Sequence, residues 1–227
     1  MRVFRERCIR HAVGSHWVAY RIGFESDGQV LCSQPQNERF PGWPLPYKAE
    51  VDAASRVAYV LNDQVRFLKP AVFERHLREM NVEAEVVAAG DFRVYHNYRA
   101  PAYEGLARVE PGRVRVTTGE RQEQGSEMLD DDPRTVWSSG TPQREGMWIE
   151  FAFDTPTPLD RFVLQYGRFA HDRAPALRIR VRTDQGWKTL KESVPADLDP
   201  FAWRQGHPVY GHAQQTYPLD VAGVQAV

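Results

Sequence analysis

Cysteine is nearly absent: Cys8 and Cys32 are the two such residues among 227. That count excludes a disulfide framework and a zinc site built from four cysteines. It leaves two separate thiols, the reading adopted here, or one pairing within the first half of the chain. Lysine is scarce too, present as Lys48, Lys69, Lys188 and Lys191, so the basic charge is almost all arginine. Neither sign is in excess, with 29 Lys and Arg against 30 Asp and Glu. Without a basic field the chain has nothing to hold a phosphate backbone, which argues against nucleic acid as a partner. No apolar run reaches the roughly 20 residues of a membrane-spanning helix. The basic start MRVFRERCIRHAV lacks the apolar stretch of a secretory signal, so the isolated chain reads as soluble. Catalytic punctuation is missing as well. There is no G-x-S-x-G elbow, and the segment from Gly119 to Gly125 lacks the lysine of a phosphate loop.

What is present divides into two rhythms. Hydrophobic residues make up 42% and aromatic residues 11%, ample for folded cores. Up to about residue 100, helical and strand patterns alternate. Val3, Phe4, Arg7, Cys8, His11 and Ala12 fall at helical spacing, and the pattern runs on towards Trp17 and Tyr20, predicting one long first helix whose Trp17, Tyr20 and Arg21 pack and position it. "GQVLCSQ" reads as a strand, "YKAEVDAA" as a helix and "RVAYVLN" as an apolar strand. Lys69-Pro70 opens a helix over "AVFERHLREMN", and Gly90-Asp91 turns a hairpin between "EAEVVAA" and "FRVYHNY". These elements predict a small α/β layer domain over residues 1–100. Beyond "RAPAYEG" the helical period is lost. "RVRVTT", "WIEFAF", "RFVLQYG", "LRIRVRT" and "WKTLKE" alternate at period two, with turns expected at Thr155-Pro156, Thr157-Pro158 and Asp184-Gln185-Gly186. The fold class is therefore α+β, an α/β layer followed by an antiparallel β-sandwich or jelly roll over residues 101–227.

The stretch "LDDDPRTVWSSGTPQREGMWIEFAF" places Asp130, Asp132, Pro133, Thr135, Trp137, Ser138 and Ser139 ahead of Trp148-Ile149-Glu150-Phe151. With "LDRFVLQYG" and "LRIRVRTDQGWKTL" downstream, it resembles the discoidin or coagulation-factor-type C domain, a galactose-binding-like family, over roughly residues 112 to 195. The residues read the same way by themselves. Short acidic side chains and Thr135 can bond nearby backbone amides and fix a turn, while Trp137 and Trp148 are expected to bury large surfaces in the sandwich. The resemblance implies carbohydrate binding and, at this turn, a structural calcium ion on Asp130, Asp132 and Thr135, hard oxygen donors that suit calcium. Asp131 stands where the family has glycine. The family's late ligand glutamate has no counterpart that can be placed, and the domain is expected to lack its last strand or strands, because no strand is assigned to "PLDVAGVQAV".

In the first half, His16, Trp17, Ala19, Tyr20, Arg21, Phe24, Glu25 and Ser26, followed by Tyr47, Val51, Ser55, Arg56, Ala58 and Tyr59, resemble the soluble tail of bacterial membrane glycosyltransferases that use lipid-linked sugars. That resemblance implies an extracytoplasmic region attached to a membrane-embedded enzyme portion, whose catalytic acids lie outside this sequence.

No catalytic residue is assigned. Candidate sugar contacts are Arg168, His171 and Arg173 in "YGRFAHDRAP", and Trp203, His207 and Tyr210 in "FAWRQGHPVYGH", because sugar recognition pairs an aromatic face with Arg or His donors. The leading expectation is a non-catalytic accessory region that recognises glycan or lipid-linked sugar. The alternative is a structural or protein-interaction module, and a third reading is a glycan hydrolase acting through Asp130 or Asp132.

Overall fold

Strand Val57–Leu61 is buried along its whole length, and its alternation divides the first half into two cores. Val57, Tyr59 and Leu61 face one cluster, with Phe73, Leu77 and Tyr95; Ala58 and Val60 face the other, with Phe4, Ala19, Ile22 and Val94. A strand buried on both faces reads as a continuous apolar run, and "VAYVL" is one. The computed structural model of the protein describes residues 1–37, 40, 43–64, 68–132, 135–167, 174, 176–195 and 199–227. Among these the chain forms two units, one of residues 1–104 and 201–211, the other of residues 105–200 and 212–227. No helix among the described residues is long and apolar enough to cross a membrane.

In the first unit the elements are α1 (Arg2–Glu6), β1 (His11–Gly14), α2 (His16–Glu25), β2 (Leu31–Ser33), α3 (Lys48–Ala53), β3 (Val57–Leu61), α4 (Pro70–Glu79), β4 (Glu83–Ala89) and β5 (Phe92–Arg99). The strands form one mixed sheet in the order β2-β1-β3-β5-β4, with β1 parallel to β2 and β3, and β5 antiparallel to β3 and β4. The long first helix is not formed. Cys8 adopts a left-handed φ of 52° after α1, and residues 11–14 extend into β1 before a second helix begins. Gly14 makes the reversal possible, since a Cβ there would lie 2.8 Å from Val18 Cγ1. Two separate thiols are found, Cys8 exposed and Cys32 buried, and burial pushes the Cys32 thiol up to about 12. The Gly90-Asp91 hairpin joins β4 to β5, and Pro70 opens α4 behind Lys69.

The second unit holds β6 (Val114–Thr118), β7 (Ile149–Gly167), β8 (Ala176–Thr183) and β9 (Gly186–Pro195), together with parts of β10 (Asp199–Arg204) and β11 (His207–Ala226). Its antiparallel sheet runs β6-β7-β11-β8-β9, with β10 beside β11. Two expectations are corrected here. "WIEFAF" and "RFVLQYG" are one strand, so Thr155-Pro156 and Thr157-Pro158 do not end it. Proline cannot donate to a ladder, and β11 answers with three register shifts over the stretch that pairs with Pro158's surroundings, between Pro218 and Ala226. The tail "PLDVAGVQAV" is also strand: it belongs to β11, which lies centrally in the sheet and buries Leu219, Val224 and Ala226. The domain does not lack that strand.

A single cut near residue 100 misses one segment. The β10–β11 hairpin, residues 201–211, belongs to the first unit, where Phe201 is 0% exposed. Its ring meets Phe73 at 5.5 Å, His76 at 5.3 Å, Tyr59 at 6.2 Å and Tyr210 at 5.1 Å. The Tyr59 hydroxyl donates to the Pro208 carbonyl at 2.9 Å and accepts the Tyr210 N–H at 3.1 Å.

Candidate functional site

The acidic turn is closed by its own side chains. Asp130 accepts the Asp132 N–H at 2.9 Å on one carboxylate oxygen and the Thr135 hydroxyl at 2.7 Å on the other. The Thr135 hydroxyl also lies 2.9 Å from the Asp132 carbonyl, and the Thr135 N–H donates to that carbonyl at 3.2 Å. Asp131 holds φ 59°, the left-handed conformation that explains the family's glycine here, and its carboxylate lies 3.5 Å from Arg108. An aspartate tolerates that conformation better than most residues other than glycine.

The structure thus brings Asp130, Asp132 and Thr135 together. As a calcium site these three residues offer two carboxylates, one hydroxyl and the Asp132 carbonyl, of which the Asp130 carboxylate, the hydroxyl and the carbonyl are already bonded to one another, where the ion takes six to eight oxygens. Among the described residues no cluster of three or more His, Cys, Asp or Glu could hold a metal. A capped turn of this kind predicts opposite sensitivities at neighbouring acids. Asp130→Ala should lower the thermal midpoint of the second unit by a few degrees, the equivalent of about 1 kcal/mol. Asp131→Gly should stay within about 0.5 kcal/mol of the parent, because the surface ion pair it removes is weak. Scanning calorimetry of both variants, with calcium and with EDTA, checks this, and the metal should shift neither midpoint.

Beside the turn lies a cleft of about 490 Å³ lined by Val114, Val116, Leu129, Glu123, Ser126 and Asp130, with Pro111, Gly112 and Gln122 completing the wall. Gln122 anchors the short helix Gln122–Met128 onto β6: its side-chain oxygen accepts the Thr118 N–H at 2.7 Å and its amide donates to the Val116 carbonyl at 2.9 Å. With Gln122 so used, Glu123, Ser126 and Asp130 remain as polar groups over an apolar floor. The sequence reading missed this cleft. Its signal was the polar run "ERQEQGSEM" directly after a strand, read only for its failure as a phosphate loop.

Neither tryptophan expected in the core is fully buried. Trp148 is 50% exposed, its indole beside Gly119, where a Cβ would lie 3.1 Å from Nε1. Trp137 is half-buried and donates from Nε1 to the Arg121 carbonyl at 3.3 Å. Trp187, on the β8–β9 hairpin, carries Arg180 and Arg182 at 5.2 and 5.5 Å from its ring centroid.

Of the sugar contacts read from the sequence, Arg168, His171 and Arg173 lie outside the described residues. Trp203, His207 and Tyr210 are brought together, but in the hairpin of the first unit. Trp203 stacks on Tyr103 at 6.1 Å, His207 is 1% exposed, and Tyr210 packs on Phe201. Trp203 and Tyr210 are partly buried and pack against the Phe73 core of that unit. Burial also lowers the His207 pKa to about 4 against the attraction of Asp52. Asp52 pairs with Lys48, and burial lowers the Lys48 pKa.

The first unit exposes aromatic side chains instead. Trp17, Tyr20 and Phe24 are 69%, 58% and 89% exposed along one face of α2, while Ala19 and Ile22 pack inward. The inward packing expected of Trp17 and Tyr20 is therefore not found.

Neither the curated proteins nor the solved structures include a match to this chain. The first-half resemblance to glycosyltransferase tails accordingly gains no support from relatives. A family model does match in the second half, although it spans less than half of the chain, and its last ten residues fall in the hairpin that the first unit holds. Residues 115–210 match the F5/8 type C domain, the discoidin family indicated by the acidic turn and the antiparallel strands that follow it.

Proposed function

We propose that the second unit is a non-catalytic carbohydrate-recognition module in which the cleft beside the acidic turn takes a sugar. Discoidin-like domains suggest carbohydrate or protein binding, and the cleft is the observation that favours sugar. An apolar floor of Val114, Val116 and Leu129 suits the C–H face of a pyranose, and Glu123, Ser126 and Asp130 supply acceptors for its hydroxyls. A volume near 490 Å³ accommodates one or two sugar rings. The Asp130 carboxylate is engaged in its turn, so it serves here as a fixed acceptor, with no role as general acid or base.

Isothermal titration of the full chain with an oligosaccharide panel tests this reading. Saturable heat with at least one sugar is expected, with Glu123→Ala and Ser126→Ala each weakening it by about tenfold. Absence of heat across the panel, or binding unchanged in both variants, removes the sugar from this cleft.

A second reading concerns the first unit. The exposed face of Trp17, Tyr20 and Phe24 favours a contact surface for an apolar partner, and a membrane-embedded glycosyltransferase portion on the extracytoplasmic side would be such a partner. Trp17→Ala combined with Phe24→Ala should leave the sugar titration unchanged, which separates the two surfaces.

A further inference from the structure

His96 is 2% exposed, and neither of its ring nitrogens has a hydrogen-bond partner. Buried polar groups are ordinarily bonded, and an orphaned one costs about 1–3 kcal/mol, so a buried imidazole with two idle nitrogens needs an explanation. The nearest carboxylate oxygen, on Glu85, is 3.9 Å from Nδ1, beyond hydrogen-bond reach. That carboxylate is already occupied, by the Asn97 amide at 3.1 Å and by Arg7 at 3.9 Å.

The backbone is arranged to put the imidazole there. Opposite Glu83 and Glu85 of β4, strand β5 carries one residue more than its partner, since Glu83 pairs with Arg99 and Glu85 with His96. The extra residue is Asn97, at a left-handed φ of 49°. A bulge of this kind reverses the alternation beyond it. Tyr95 and Tyr98, three apart, both reach the Phe73 core, while His96 points to the opposite face of the sheet with Val94. It lines a cleft of about 320 Å³ at this end of the sheet, whose wall carries Arg56 and Arg99, one carboxylate, Glu85, and the polar Ser55 and Asn97.

The charges around the cleft balance in sum, Arg7, Arg56 and Arg99 against Glu83, Glu85 and Glu104, but they are unevenly paired. Arg99 is neutralised by Glu104 at 2.9 Å and Glu83 at 3.6 Å, and Glu85 by Arg7. Arg56 has no ion-pair partner among the described residues and faces the same space. A guanidinium with five free donors, next to a buried imidazole that can donate from a ring nitrogen, is complementary to a compact oxyanion.

We propose that this cleft is a binding site for a small molecule bearing a phosphate or carboxylate group, held by Arg56 and by the buried imidazole of His96. The site belongs to the first unit alone and is independent of the sugar cleft. Its size suits a metabolite rather than a polymer.

The test uses the full chain, isotopically labelled, with the imidazole resonances followed by NMR and the His96 signal assigned by its loss in His96→Gln or, if that variant does not fold, by ring-to-backbone correlation. The probes are sodium phosphate and sodium malonate, against sodium chloride at matched ionic strength. Saturable displacement of the His96 resonances by one probe, with no response to chloride, is expected. Response to phosphate identifies a phosphate-bearing ligand; response to malonate identifies a carboxylate. Arg56→Ala, an exposed change that leaves the core intact, should raise the half-saturating concentration at least about tenfold. Failure of both probes, an equal response to chloride, or an unchanged midpoint in Arg56→Ala would overturn the proposal. Glu123→Ala should leave these shifts untouched, so failure here and failure of the sugar reading are distinguishable.

Discussion

Replacing Phe201 by alanine should destabilise the first unit by about 3–5 kcal/mol, a large share of what a domain of this size has. The ring is wholly buried among Tyr59, Phe73, His76 and Tyr210, and it comes from a segment some hundred residues beyond the unit it completes. Deleting it loses the transfer free energy of a phenyl group and leaves a cavity whose walls are strands and a helix that cannot collapse freely. The readout is hydrogen exchange at the β3 amides of residues 57–61, which are buried in the centre of the sheet and report opening of this unit. Phe201→Leu, closer in volume, should cost less than about 1.5 kcal/mol. The same reasoning expects a fragment of residues 1–104 to be poorly folded, since it would expose Tyr59 and Phe73 on the side the hairpin covers. A loss below about 1 kcal/mol in Phe201→Ala would show that the hairpin is dispensable to the first unit.

Much of the secondary structure could be read locally, and the exceptions share a cause. Pro70 behind Lys69, the Gly90-Asp91 turn and the apolar run Val57–Leu61 each carry their own instructions in two to five residues. Residues 11–14 do not: His-Ala-Val-Gly fits a helical face as well as a strand, and pairing with β2 and β3 decides the matter. The prolines at 156 and 158 were legible as punctuation, but bulges in β11, some sixty residues away, let the strand continue. The acidic turn was legible because Asp130, Asp132 and Thr135 interact within six residues. The hairpin is ambiguous in sequence for the opposite reason. "FAWRQGHPVYGH" has the composition of a sugar-binding loop, and composition is equally well met by aromatic burial; only its packing on Tyr59 and Phe73 distinguishes the two. His96 was invisible because burial, orphaned nitrogens and a bulge at Asn97 are properties of the assembled sheet.

The hairpin should also make stability depend on pH through His207. This side chain is 1% exposed, and burial depresses its pKa to about 4, while an unfolded chain would titrate near 6.5. The attraction of Asp52 acts the other way, and Lys48 and Arg204 add to the depression. The folded protein therefore prefers the neutral imidazole, so below pH 6.5 the unfolded state binds a proton that the native state refuses. Stability contributed by neutral His207 is complete above about pH 6.5, falls progressively as the pH drops, and is exhausted once the pH has passed below about 4. A depression of this size corresponds to about 3 kcal/mol over the window. Urea unfolding of the full chain, followed by hydrogen exchange or near-ultraviolet dichroism at several pH values, should show the midpoint falling through that range. His207→Gln lowers stability at neutral pH but removes the proton linkage, so its midpoint should vary much less between pH 6.5 and 4.5, a range above most carboxylate titrations. Parallel curves for parent and variant would mean that another group carries the pH dependence and that His207 is protonated in the fold. A flattened curve would establish that the imidazole is held neutral where the hairpin meets Asp52 and Tyr59. The segment that looked most like a ligand site would then be what locks the first unit shut.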